Sequence, residues 1–115
     1  MKRLFLLLAL FLLSLNSGFS ADGEADDDQA FDDAVRQFGY AGGAAWHCSA
    51  EKDRTAVERQ ALQAYTGLTR LFGTDQAFFF ASSFGAGTMD KIKNEDCAKF
   101  IEAFNSEMAK AQKAQ

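Results

Sequence analysis

The chain has 115 residues, with 12 Lys+Arg against 16 Asp+Glu and a net charge of −4 at neutral pH. That length suits one domain and not two. An acidic balance with no basic run offers no face to a phosphate backbone, which argues against a nucleic-acid partner.

The first residues read as an export signal. Lys2 and Arg3 form a positive start, and Leu4 to Leu13 is an unbroken apolar run of ten residues. Such a run fits a secretory leader and falls short of the roughly 18–20 residues of a spanning helix. Gly18 and Ser20 supply the small residues a signal peptidase needs, so residues 1–20 are expected to be removed. No cysteine follows the cleavage point, so a lipoprotein is not expected. The predicted location is the periplasm or the extracellular medium, with no stable membrane insertion after cleavage.

Removing Lys2 and Arg3 leaves 10 basic and 16 acidic residues, a net charge of −6. Seven of those acids, Asp22, Glu24, Asp26, Asp27, Asp28, Asp32 and Asp33, fall in residues 22–33, which hold no base. Residues 21–28 are therefore expected to be an acidic, disordered segment, ahead of a folded domain over 29–115. The alternation of aspartates and the glycine of a calcium loop is missing there.

Asp27 or Asp28 is placed to cap a first helix, with Ala30, Phe31, Ala34, Val35 and Phe38 on one face. Gly39 is expected to end it. Tyr40-Ala-Gly-Gly-Ala-Ala45 then reads as a flexible connector leading to Trp46-His47-Cys48. Thr55-Ala-Val-Glu58 has the form of a capping box for a second helix. Its buried stripe is Val57, Ala61, Ala64, Tyr65, Leu68, Leu71 and Phe72, and Gly73 is its stop.

The segment Gly73-Thr-Asp-Gln-Ala-Phe-Phe-Phe-Ala-Ser-Ser-Phe-Gly-Ala-Gly87 reads as a third helix, capped by Thr74 or Asp75 and stopped at Gly85. At 100° per residue, Ala77, Phe80, Ala81 and Phe84 form the inner face, with Phe78 at its edge. Phe79 points away, together with Gln76, Ser82 and Ser83. Two accounts of Phe79 follow: a helix packed on two sides, or an exposed aromatic that anchors a partner. Gln76, Phe79, Ser83 and Trp46 are the candidate partner contacts. Gly85-Ala-Gly87 reads as a mobile hinge and residues 88–93 as a short linking turn or helix. A last helix begins near Asn94 and places Cys97, Phe100, Ile101, Phe104, Met108 and Ala111 on one face, with Glu95 and Asp96 at the positive end of its dipole.

The predicted fold is all-α, a small bundle of four to five short helices. In an oxidising compartment Cys48 and Cys97 have only each other to pair with. Closing a loop of that length is worth up to about 4 kcal/mol in the chain-entropy picture. With His47 the two cysteines reach only three ligands, so no metal site is expected. Catalysis is not expected either. No Gly-x-Ser-x-Gly elbow and no phosphate-cradling glycine loop is present, and the single imidazole adjoins an oxidised cysteine. No cofactor is implied.

Trp46-His-Cys48, a helical middle, and Cys97-Ala-Lys-Phe100 ahead of a lysine-bearing final helix resemble the small periplasmic acid-stress chaperones of the HdeA type, over about residues 46–113. The resemblance implies an exported helical protein held by one disulfide and activated by acid. The acidic front, the additional first helix and the Phe78–Phe84 cluster depart from that pattern. Near pH 2 the mature chain, with 10 Lys+Arg and one His, would carry +11 from its side chains. Self-repulsion would then loosen the fold while the bridge kept it partly compact. The expected function is non-catalytic binding of a protein or apolar partner, or of a second copy, through an aromatic surface. Two alternatives stand beside it: the acid-activated chaperone, and an inhibitor or immunity-type protein directed against an exported enzyme.

Overall fold

A computed structural model of the chain describes residues 24–114. The expected leader, residues 1–20, and residues 21–23 lie outside the described residues. Four helices follow in order: α1 (Glu24–Cys48), α2 (Arg54–Phe72), α3 (Thr74–Met89) and α4 (Asn94–Ala114), with one turn of 3-10 helix, Glu51–Asp53, before α2. The fold is all-α, and one disulfide joins Cys48 to Cys97.

The first helix is longer than its sequence suggests at both ends. It starts at Glu24, so Glu24, Asp26, Asp27 and Asp28, expected in an unstructured segment, lie in its opening turns. Asp27 and Asp28 there lie near the positive end of the helix dipole. It also runs straight through Gly39, Gly42 and Gly43 to Cys48, where a stop and a flexible connector were expected. The glycines are sites of close approach. A Cβ on Gly39 would strike the carbonyl oxygen of Phe80, and one on Gly43 the carbonyl oxygen of Phe84. From the other side, a Cβ on Gly87 would meet the Tyr40 carbonyl oxygen and come within 2.7 Å of the Ala44 nitrogen. α1 and α3 therefore cross backbone against backbone, which only residues without a Cβ permit. Each glycine costs about 1 kcal/mol of helix propensity, and the packing gained along the crossing offsets it.

The same contact carries α3 past Gly85, its expected stop, to Met89. Gly73 does end α2, as expected. Its φ of 98° is open to glycine and strained for other residues. Its amide donates to the carbonyl of Thr69 (3.1 Å), and α3 begins at the next residue. The Thr55–Glu58 capping box does not form. Asp53 is the cap residue, Thr55 lies inside the helix, and no side chain caps the end. The preceding 3-10 turn, with the Asp53 amide donating to the Ala50 carbonyl (2.8 Å), sets the start instead.

α1 is the central helix and packs on the other three, most closely on α3. α4 rests on α1 and has no comparable interface with α2 or α3. Phe38 sits at the middle, its ring 5.0 Å from that of Phe80 and 5.7 Å from that of Phe104. Val35, Phe80 and Phe104 are the largest fully buried side chains. Burial of each of these two phenylalanines is worth about 1.5–3 kcal/mol. The expected face of α4 holds: Phe104 and Met108 are buried, with Phe100 and Ile101 packed against the core. At the far end Phe31 stacks on Phe72 at 4.9 Å.

Candidate functional site

The C-terminal end of α1 gathers Trp46, His47 and the bridge. The Arg54 guanidinium lies 4.2 Å from the Trp46 ring centroid. Its Nε donates to the Trp46 carbonyl (3.1 Å) and its Nη2 to that of His47 (3.3 Å). Arg54 thus binds two of the last carbonyls at the negative end of α1, that of Trp46 shared with the Ser49 amide, and covers one face of the indole. His47 Nδ1 donates to the Thr88 carbonyl (3.2 Å), and the Tyr40 hydroxyl donates to Asp90 Oδ2 (2.7 Å). That hydrogen bond, followed by desolvation and the Asp90 charge, raises the Tyr40 pKa above the usual phenol value. The Cys48 and Cys97 Cα atoms are 5.6 Å apart, within the usual range for a bridge. Together these contacts tie the end of α1 to the α3–α4 link and the start of α4.

The aromatic segment is turned differently from its expected orientation. Phe79 does not point away: it is half-buried against the core, and the Arg36 guanidinium caps its ring at 4.2 Å. The helix is packed on two sides, because α1 crosses it along the line of Phe80, Phe84 and Gly87. Gln76 and Ser83 flank the same crossing. Gln76 Nε2 donates to Asp32 Oδ1 (2.6 Å), while its Oε1 is enclosed without a partner. The ring left outside is Phe78, 65% exposed, which the helical wheel places at the edge of the inner face. The four candidate contacts do not form one surface. Gln76, Phe79 and Ser83 lie along α1, and Trp46 lies under Arg54. The hydroxyls of Ser49 and Ser82 donate to carbonyls of their own helices, Ala45 (2.7 Å) and Phe79 (3.3 Å).

Two open grooves flank α4 instead. One, of about 490 Å³, lies between α2 and α4 with Phe38 in its floor and Leu62, Leu68 and Met108 on its walls. The other, of about 560 Å³, lies between α4 and the α1–α3 pair, with Phe38, Tyr40, Ala41 and Phe100 on its walls and Ser83 at its rim. Both follow from the same cause: α4 packs chiefly on α1, so a trough remains on each side. Leu68 and Met108 are buried, yet Leu62 stays 65% exposed at the mouth of the first groove. Arg59 and Arg70 line that groove, and Glu107 within it pairs with Lys110 at 3.3 Å. Sequence reasoning missed this groove. Its one signal was Leu62, the large aliphatic residue of α2 that falls off the buried stripe.

Among the described residues no cluster of three or more His, Cys, Asp or Glu is placed to hold a metal ion, and no helix is long and apolar enough to cross a membrane. No protein-family model, no curated protein and no solved structure matches this chain.

Proposed function

We propose that this chain is an exported, non-catalytic binding protein and that its binding face is the groove between α2 and α4. The observation that carries the reading is Leu62, a large aliphatic side chain left 65% exposed beside buried Leu68 and Met108. An apolar trough of about 490 Å³ lined in this way falls within the usual size of small-ligand sites. The disulfide supports an oxidising compartment, and the leader-like residues 1–20 support export. The test is titration of the oxidised protein with the neutral apolar dye Nile red. Saturable uptake by the native protein, weakened at least about fivefold by Leu62→Ser with an unchanged melting temperature, is expected. Absence of uptake at neutral pH would remove the reading.

A second reading, the acid-activated chaperone, is favoured by where the phenylalanines sit. Phe80 and Phe104 are buried, and Phe79 and Phe84 pack against the core, so beyond the single exposed ring of Phe78 an aromatic client surface becomes available only when the bundle loosens. The +11 side-chain charge of the mature chain near pH 2 supplies a force that does so. Light scattering from an aggregating client protein decides this reading: suppression at pH 2–3 and none at pH 7 is expected, and no suppression at pH 2–3 would refute it.

A further inference from the structure

We propose that the ligand of the α2–α4 groove is a single-chain amphiphile with a carboxylate head, of the long-chain fatty-acid class. The inference rests on the reading of that groove as the binding face.

The tail side is set by the walls. Phe38 in the floor and Leu68 and Met108 on the walls are buried, and Leu62 closes one edge. Met108 is unbranched and polarisable, so it adapts to an irregular alkyl chain. A partner helix is about 10–12 Å across with its side chains, whereas a thin alkyl chain suits a trough of about 490 Å³.

The head side is set by α2. Arg59, Gln63, Thr66 and Arg70 all line the groove, and at 100° per residue they fall within about 60° of one another. They form one line of hydrogen-bond donors running beside the apolar wall. Among the described residues none of these four exposed side chains makes a hydrogen bond or ion pair, so all four are open to a ligand. The line carries no carboxylate. The one acid in the groove, Glu107, is held by Lys110 at 3.3 Å, which leaves both guanidiniums uncompensated. Arg59 and Arg70 are eleven residues apart, about 16 Å along the helix, so a head can be met at either end of the trough. A guanidinium takes a carboxylate through paired N–H donors, which a neutral or cationic head cannot exploit.

The test is calorimetric titration of the oxidised protein with dodecanoate at concentrations where it is monomeric, beside dodecyltrimethylammonium and Nile red. One-to-one binding of dodecanoate at least about tenfold tighter than that of the cationic amphiphile is expected. The double variant Arg59→Gln/Arg70→Gln should weaken dodecanoate about three- to fivefold, the scale of the one exposed ion pair a single carboxylate head makes, while changing Nile red affinity less than about twofold. Equal binding of the two amphiphiles, or an unchanged dodecanoate affinity in the double variant, overturns the proposal. Uptake of Nile red without dodecanoate overturns the ligand class and leaves the groove reading standing; uptake of neither removes both. Displacement of Nile red by an acidic amphipathic peptide but not by dodecanoate overturns the proposal in favour of a protein partner.

Discussion

Replacing Gly43 by alanine tests how α1 and α3 meet. In an ordinary helix interior the change would stabilise by about 1 kcal/mol, because alanine gives up less backbone freedom than glycine on folding. At Gly43 the new methyl group would strike the Phe84 carbonyl oxygen and stand 2.9 Å from the Gly87 Cα. All of these neighbours are backbone, so no rotamer change relieves the overlap and the two helices must separate. Separation loosens Phe80 against Phe38, the contact at the centre of the core. Overpacking of this kind costs about 1–3 kcal/mol, and rigid backbone on both sides puts Gly43 at the upper end. After the propensity gain, Gly43→Ala should lose about 2 kcal/mol. Gly67 provides the opposite case, since it lies within α2 with nothing inside 4 Å of an added Cβ. Gly67→Ala should therefore gain about 0.5–1 kcal/mol. Urea unfolding of the oxidised protein reads both. With a slope of about 1 kcal/mol/M for a small domain, the midpoint should fall by about 2 M for Gly43→Ala and rise by about 0.5–1 M for Gly67→Ala. A Gly43→Ala midpoint at or above that of the native protein would refute the backbone-to-backbone crossing.

Three further outcomes are expected. Reducing the Cys48–Cys97 bridge, which spans 49 residues, should cost about 2–4 kcal/mol, read as the difference between urea curves with and without reductant. Phe78→Ser should leave stability within about 0.5 kcal/mol, since the ring is 65% exposed. Phe79→Ser, which uncaps Arg36 and removes a ring packed on the core, should lose about 1–2 kcal/mol; equal midpoints for the two variants would contradict the observed rotation of α3. Spectrophotometric titration should show Tyr40 ionising above the usual phenol pKa of about 10, with Asp90→Asn bringing it back down. Because the folded-state value is the raised one, the contribution of this hydrogen bond to stability is fully present below about pH 10 and disappears as the pH climbs through the Tyr40 pKa. An unshifted titration in Asp90→Asn would show that Asp90 is not the cause.

α2 and α4 were readable because each buries one stripe, and the periodicity of Val57, Ala61, Ala64 and Leu68, or of Phe100, Phe104 and Met108, records that stripe directly. Gly73 was readable because its backbone conformation is a local demand. α1 and α3 were misjudged at Gly39, Gly43 and Gly87 for a shared reason. A glycine signals a break when only its own segment is considered, and it signals close approach when a second glycine-bearing helix lies against it. The four-residue interval between Gly39 and Gly43 is the pattern that small residues make on one helix face. The rotation of α3 follows from the same crossing: its buried arc is centred on Phe80 and Gly87, which brings Phe79 inward and leaves Phe78 outside. The groove was least legible, because it is the space left between two helices distant in the chain, and no local pattern encodes the distance between them.

α4 is the common wall of both troughs, and its covalent anchor lies at one end only, at Cys97 in its first turn. Beyond that pin α4 is held by packing alone, with Phe104 and Met108 buried in the core. Any swing that opens the trough beside α2 narrows the one beside α3 by a comparable amount. Guests in the two troughs would therefore act as mutual antagonists without ever touching, each favouring a tilt that the other disfavours.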